Sequence, residues 1–373
     1  MKKILLGMIV FLGLNLLVIS STFAQTEELP QQETLEGAVV RIVEERKINV
    51  AEGVEQPYQK VEIELLGKEA GKMVTAEQGG VVVSGESQKL KPGDRVLITG
   101  IKNLDGSDNY YVTDFVRRKP LLFMTLAFVL AVVIVGGVRG FASFVGLLIS
   151  FAVLLKYILP QIVSGSNPVL VAIIGSFAIL FATLYLAHGI SRKTTAAVIG
   201  TAISLVITGI LAWLFVEAAR LTGFGSEEAG FLSMYPGMTI NLKGILLAGM
   251  IIGALGVLDD ITISQAACVF ELNEANGKLS WRELFRRGLR IGQDHIASLV
   301  NTLVLAYAGA SLPLLILFAV SGAEPIGILV NREMIANEIV RALVGSLGLV
   351  SAVPITTAIA AKMAKRGEGG LTD

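Results

Sequence analysis

Residues 242–270 read LKGILLAGMIIGALGVLDDITISQAACVF, an apolar run interrupted past its middle by two adjacent acids, Asp259 and Asp260. A bilayer core about 30 Å thick needs roughly 20 apolar residues per helix, so this run is long enough to cross a membrane. An aspartate at the centre of such a helix costs roughly 2.5–3.5 kcal/mol on insertion scales, and acids at that depth usually face the bundle interior and mark ion, proton or solute paths. The chain is therefore read as a polytopic membrane protein with a candidate polar core.

Projected on a helix, Gly249, Gly253, Gly256, Asp260, Ser264, Ala267 and Glu271 share one side. Small residues let a second helix approach closely, so this is the side expected to pack, with Asp260 on it. Asp259 and Thr262 point about a quarter turn away. Neighbouring carboxylates taken out of water together do not both ionise easily, so one holds a proton unless a cation lies between them. That property suits a proton- or cation-coupled carrier. The structural alternative is a helix that breaks at the pair, the acids capping a half-helix that begins at Ile261. Broken helices often build midplane sites, so the two readings are compatible.

Composition supports the membrane class: 53% of residues are hydrophobic and 17% charged, with a mean hydropathy of +0.69. Lysine plus arginine balance aspartate plus glutamate at 31 each, so no basic excess points to nucleic acid. The single cysteine, Cys268, has no internal disulfide partner. With only two histidines in the chain, it is read as a small packing residue rather than a thiolate or zinc ligand. No phosphate-binding Gly-x-x-x-x-Gly-Lys-Ser/Thr loop, His-Glu-x-x-His motif or Gly-x-Ser-x-Gly elbow occurs. Gly256-Val257-Leu258-Asp259 departs at Leu258 from the Gly-x-Gly-Asp motif of intramembrane aspartyl proteases, and no earlier span supplies a second aspartate. The expectation is a protein without enzymatic activity or a cofactor.

Residues 1–24 carry Lys2 and Lys3, an apolar stretch from Ile4 to Ile19, and small residues at Thr22 and Ala24, the pattern of a signal peptide or an uncleaved anchor. Residues 33–116 then alternate β-formers with turn residues. Ala38–Val43, Lys60–Leu65, Val81–Val83 and Arg95–Ile98 are separated by Gly67, Gly79-Gly80, Pro92-Gly93-Asp94 and Asp105-Gly106. Short alternating strands bounded by turns predict a small all-β domain, here an exported OB-like barrel able to bind an extracytoplasmic partner. From Pro120 to residue 363 seven spans are expected, near Leu121–Val138, Phe141–Leu159, Val169–His188, Thr195–Val216, Leu242–Phe270, Ile296–Val320 and Glu338–Ala361, with residues 364–373 as a tail.

Charge orients these spans, because cytoplasmic loops carry the excess of Lys and Arg. With the β-domain outside, the inner loops hold Arg139, then Arg192 and Lys193, then Lys278, Arg282, Arg286, Arg287 and Arg290, and finally Lys362, Lys365 and Arg366. The predicted location is the cytoplasmic membrane with an inner C-terminus. Only Arg117, Arg118 and Lys119 run against the rule. The stretch Ser280–Arg290 is amphipathic, with Trp281, Leu284, Phe285 and Leu289 expected to rest on the membrane.

Polar partners for the acids occur on other spans. Asp294, Ser298 and Asn301 project together on the sixth, and Glu338, Arg341, Gly345, Gly348, Ala352 and Thr356 on the seventh. The fourth adds Thr194, Thr201, Ser204 and Thr208. Arg341 is a counter-ion candidate for a carboxylate, although Glu338 lies within one turn of it. The expected ion, proton or solute site is thus Asp259, Asp260, Ser264, Glu271, Asn301 and Arg341. Gly249, Gly253, Gly256, Gly345 and Gly348 are expected to pack helices within the chain, in a homo-oligomer, or against a related membrane subunit.

The chain resembles the YibE/F-like family of bacterial multi-pass membrane proteins. The resemblance rests on Gly253-Ala254-Leu255-Gly256-Val257-Leu258-Asp259-Asp260 with Ile261-Thr262-Ile263-Ser264-Gln265 and Phe270-Glu271-Leu272, on Asn301 through Gly309 with Leu312-Pro313, and on Gly345-Ser346-Leu347-Gly348 with Pro354-Ile355-Thr356. It implies the membrane fold and adds little on mechanism, and of the acid pair Asp259 fits the family pattern better. Two functions are carried forward: a secondary carrier or channel using the acid pair, and a non-transporting scaffold whose exported domain binds a partner.

Overall fold

The computed structural model describes residues 33–51, 54–80, 88–102, 108–235, 240–321 and 325–365. The leader at 1–24, the Val81–Val83 run and the tail beyond 365 lie outside the described residues. The chain divides into two units, one ending at Phe128 and the other running on from Val129.

In the first unit, β1 (Glu33–Ala51), β2 (Val54–Leu66), β3 (Met73–Gln78), β4 (Arg95–Lys102) and β5 (Asp108–Phe115) close into a barrel in the order β1-β2-β3-β5-β4. Period-two alternation sends Val39, Val61, Ile63, Leu65, Val74, Ala76, Val96 and Ile98 to a common buried interior. β1 pairs antiparallel with both β2 and β4, while β3 and β5 run parallel and close the barrel at Ala76–Tyr110 and Glu77–Tyr111. Register shifts along β1, between Val39 and Arg41 and again between Ile42 and Glu44, let one long strand bend around the interior. Pro92-Gly93-Asp94 forms a turn in which Gly93 takes φ 93° and the Asp94 carboxylate accepts from Lys91 N at 2.7 Å. The alternation over β1, β2 and β4 was legible beforehand. β3 and β5, with polar outer positions, carried a weaker signal.

The helical elements are α1 (Arg118–Val153), continuing through a π-turn at Leu154–Ile158 into α2 (Leu159–Val163), then α3 (Pro168–His188), α4 (Arg192–Ala218), α5 (Glu227–Ser233), α6 (Leu242–Ala275), α7 (Trp281–Ala310), α8 (Leu312–Ser321), α9 (Ile326–Leu329) and α10 (Glu333–Lys365). Their starts follow side-chain caps. Asn167 accepts from Val169 N and Leu170 N, Ser191 from Thr194 N and Asn241 from Gly244 N, and Ser280 with Glu283 forms a capping box. Among the described residues, five helical stretches are long and apolar enough to cross a membrane, or six if the bent pair α7–α8 counts as one. The chain is thus a multi-pass membrane protein.

Two expected spans fall within α1, which is divided at Gly137 (φ 56°, ψ −137°). The Val132 carbonyl sits where a β-carbon on Gly140 would be, so the chain turns sharply back on itself at this point. The expected sixth span is bent by 64° where α7 gives way to α8. In contrast, α6 runs unbroken through Asp259 and Asp260. This removes the structural alternative of a break: neither acid caps a half-helix starting at Ile261.

At the centre of the helical unit α4, α6 and α10 pack on one another, with α3 against α6 and α7 against α10. Small residues set these approaches. A β-carbon on Gly200 (α4) would collide with Thr356 (α10), and one on Gly348 (α10) with Thr208 (α4). Gly288 and Gly292 of α7 lie against Thr357 and Val353 of α10, with Val269 and Gln265 of α6 beside them.

Candidate functional site

Asp259 and Asp260 project from α6 in different directions. Asp259 is half-buried and turned toward α3, where Thr183 Oγ1 donates to its Oδ2 at 3.2 Å. Its other oxygen, Oδ1, is buried without a hydrogen-bond partner among the described residues. Thr183 is flanked by Gly146 of α1, where a β-carbon would make ordinary contact with Thr183 at 3.6 Å. Thr262, one turn beyond Asp259, donates to the Asp259 carbonyl at 3.2 Å and shares a 2.6 Å hydroxyl contact with Thr201 of α4. The result is a carboxylate with one satisfied and one open oxygen, seated where α1, α3 and α6 meet.

Asp260 lies on the opposite kind of surface. Gly249, Gly253, Gly256, Asp260, Ser264 and Glu271 are all exposed in the single chain, and Ala267 is partly so. The face expected to pack is therefore the outward face of α6. Among the described residues, nothing beyond the helix's own backbone lies within 4 Å of the position a β-carbon would take on Gly249 or Gly256, and at Gly253 such a carbon meets the Tyr307 hydroxyl at 3.6 Å. The inward face carries Leu247, Ile251, Leu255, Leu258, Ile261, Thr262, Gln265 and Val269. Both faces of α6 are largely apolar or small, so the projection finds the stripe without telling packing within the chain from packing between chains; within this chain it is not covered among the described residues.

Of the remaining expected site residues, none makes a hydrogen bond or ion pair with either acid among the described residues. Asn301 is exposed on α7, as are Asp294 and Ser298. Arg341 pairs locally with Glu338 at 3.0 Å within α10 and is not a counter-ion for either aspartate. Gly345 makes an ordinary contact with Leu303 at 3.4 Å, and Gly348 the tight one with Thr208. The amphipathic start of α7 is also corrected. Leu284 is fully buried, and Phe285 and Leu289 pack against the helical core, so this segment's apolar side rests on protein.

Sequence reasoning passed over two residues that the fold makes central. Thr183 is the side-chain partner of Asp259, and Gln265 donates from Nε2 to both Gly288 O and Thr357 Oγ1 at 2.8 Å, tying α6 to α7 and α10. A signal existed for each, since an amide or hydroxyl within an apolar span calls for a partner. Ser204, Thr356 and Gln265 are buried with one side-chain oxygen lacking a partner among the described residues. An apolar groove of about 250 Å³ between α3, α4 and α6 is lined by Phe177, Leu205, Ile210, Trp213 and Ile251, among others, and by none of the candidate polar residues. Among the described residues no cluster of three or more His, Cys, Asp or Glu could hold a metal ion.

Searches of curated proteins and of solved structures gave no match. A family model described as YibE/F-like protein matches residues 124–366, which takes in every helix from α3 to α10 and the acid pair. The unbroken α6 with its Asp259-Asp260 step, and the glycine-mediated packing around it, lie within the matched stretch, and this chain belongs to the YibE/F-like family.

Proposed function

We propose that this protein is a secondary carrier or channel for an ion or small solute in the cytoplasmic membrane, with Asp259 and Asp260 as proton or cation ligands. One observation carries the reading: α6 crosses unbroken with two adjacent carboxylates at depth, one with an open buried oxygen and the other on an outward face of small residues. A carboxylate facing lipid costs roughly 2.5–3.5 kcal/mol, so in the working assembly this face meets water or protein. A second copy of the chain, or a related membrane subunit, completes the path by covering Gly249, Gly253, Gly256 and Asp260. Ser264 and Glu271 lie along that same face, and Asn301 supplies an exposed amide from α7.

Seven crossings follow if α1 counts once on each side of Gly137 and α7–α8 counts as one bent span. The barrel then lies outside and the C-terminus inside, in keeping with the basic residues between α6 and α7 and at the end of α10. The strand order and the parallel β3–β5 closure support an OB-like barrel. No catalytic step is part of this reading.

The test is flux of protons and of mono- and divalent cations in proteoliposomes, comparing the native chain with Asp259→Asn/Asp260→Asn verified as folded. Loss of flux in the variant supports the proposal. Flux that survives the substitution removes the acids from the path. A second reading, a non-transporting scaffold with a partner-binding barrel, is favoured by the local pairing of Arg341 with Glu338, which leaves neither aspartate with a cationic partner among the described residues. Disulfide cross-linking of Gly253→Cys chains in a Cys268→Ser background, without flux of any ion, supports the scaffold.

A further inference from the structure

The first turns of α7 carry four arginines, Arg282, Arg286, Arg287 and Arg290, all exposed; Arg282, Arg286 and Arg290 lie on the side opposite Leu284, Gly288 and Gly292, which are buried. Arg282, Arg286 and Arg290 succeed one another at intervals of four residues and form a row. None of the four is in an ion pair among the described residues. Glu283, the acid within this stretch, is engaged at the helix start, accepting from Ser280 N and Ser280 Oγ at 2.9 Å. Beside the row, Trp281 has a guanidinium and an ammonium over its ring, Arg282 and Lys362 each at 5.8 Å from the centroid. Lys278 adds a further exposed cation in the preceding loop.

The position of this surface identifies its ligand. The apolar part of α7 begins at Ile296, and the apolar parts of α6 and α10 end near Phe270 and Ala361; Trp281 and Arg282 lie level with Lys362 at that boundary, and Arg286 and Arg290 follow along the helix with side chains long enough to reach back to it. A guanidinium matches a phosphate oxygen pair in two-pronged geometry, and an indole is favoured at the headgroup level. We propose that Arg282, Arg286 and Arg290, with Trp281 and Lys362, form a binding surface for anionic phospholipid headgroups of the surrounding bilayer. It selects these lipids over zwitterionic ones, because the zwitterionic headgroup brings its own cation to a surface already rich in them. The inference is independent of whether the protein transports anything.

The chain provides its own reporter, since it has two tryptophans, Trp213 and Trp281. In a Trp213→Phe chain reconstituted into vesicles, quenching of Trp281 by brominated phosphatidylglycerol and by brominated phosphatidylcholine gives the relative affinity of the surface for the two. The expected ratio is about fivefold or more, the effect of one basic residue beside an anionic surface, and it falls toward one in Arg282→Gln/Arg286→Gln/Arg290→Gln. Trp213, exposed on α4 at the other end of its span from Arg192 and Lys193, is read in a Trp281→Phe chain and shows no preference. If the triple variant does not fold, raising the salt concentration on the Trp213→Phe chain serves instead, and the preference declines as the charges are screened. A ratio near one for Trp281, a preference unaffected by both substitution and salt, or one shared by Trp213 overturns the proposal. So does an absence of quenching by either lipid, which means that protein covers this face.

Discussion

Thr183 on α3 donates to the Asp259 carboxylate on α6 at 3.2 Å, and the same hydroxyl lies 2.9 Å from the Ile179 carbonyl of its own helix. A hydroxyl has one proton to give. When it goes to Asp259, Oδ2 accepts, whether the group is a carboxylate or a neutral acid. When it goes to Ile179, the contact persists only if Asp259 carries a proton and donates to Thr183. The Thr183 hydroxyl thus links the Asp259 side chain to the backbone of α3 and can exchange donor and acceptor roles with it.

Thr183→Val and Asp259→Ala are therefore coupled. A double-mutant cycle on unfolding in detergent is expected to give an interaction of about 0.6–1.7 kcal/mol, the range found for hydrogen bonds between helices in membranes. Strict additivity of the two substitutions would remove the contact from the account.

The glycines divide into two sets with opposite expectations. Gly348→Ala places a methyl group on the Thr208 hydroxyl, and overpacking of this kind costs about 1–3 kcal/mol. Adding Thr208→Ala restores part of the loss by clearing the space. Gly256→Ala meets nothing within 4 Å in the single chain and, by removing helix-interior flexibility, raises stability by roughly 0.5–1 kcal/mol. The same unfolding measurement reads both. A loss on Gly256→Ala comparable to that on Gly348→Ala means that the outward face of α6 is covered by another chain.

Gln265, 1% exposed, donates to Gly288 O and Thr357 Oγ1 at once. Gln265→Leu keeps the volume and removes the donor, at a cost of about 1–3 kcal/mol for the groups left unpaired. Gln265→Glu should be worse, since it puts a carboxylate beside the Gly288 carbonyl. Thermal unfolding that ranks native above Leu above Glu is the expected result, and Glu equal to native would show that water reaches this point.

The barrel carries a pH-dependent contact at its end. Phe115 N donates to the Asp114 carboxylate at 2.8 Å, and the Arg117 guanidinium reaches it at 2.6 Å. The backbone hydrogen bond first, and the guanidinium second, hold Asp114 below the usual aspartate range. A folded value below the unfolded one gives stability that is fully present above the unfolded value, about pH 4, and is lost as pH falls through the folded value. Carboxyl-carbon NMR of the full chain should show Asp114 titrating below exposed aspartates, and Arg117→Gln should move it up.

Much of the architecture was legible in the residues themselves. β1, β2 and β4 announced themselves by alternating β-formers, because one side of each strand is buried in the barrel and the other meets water. The apolar helices announced themselves by length and hydropathy, whereas the caps at Ser191, Asn241 and Ser280 were found only in the structure. Of the polar and small stripes listed on α4 and α10, Thr194, Thr201, Ser204, Thr208, Gly345, Gly348, Ala352 and Thr356 are buried, while Glu338 and Arg341 are only partly so. Which one meets which, such as Thr208 with Gly348, depends on helix crossings that no local pattern encodes.

What the sequence determined by itself is therefore a run of long apolar helices, the small barrel before them, and the position of Asp259 and Asp260 along α6. What only the tertiary structure decided is direction: that Asp259 turns to Thr183 while Asp260, Gly249, Gly253 and Gly256 look outward, and that Arg341 answers Glu338. The reason is physical. In water the apolar face of a helix must point inward, but lipid tails are as apolar as a protein core and exert no such demand. A projection of α6 thus finds its faces without saying which is inside, and only the packing of Gly200, Gly288, Gly292 and Gly348 against their neighbours settles it.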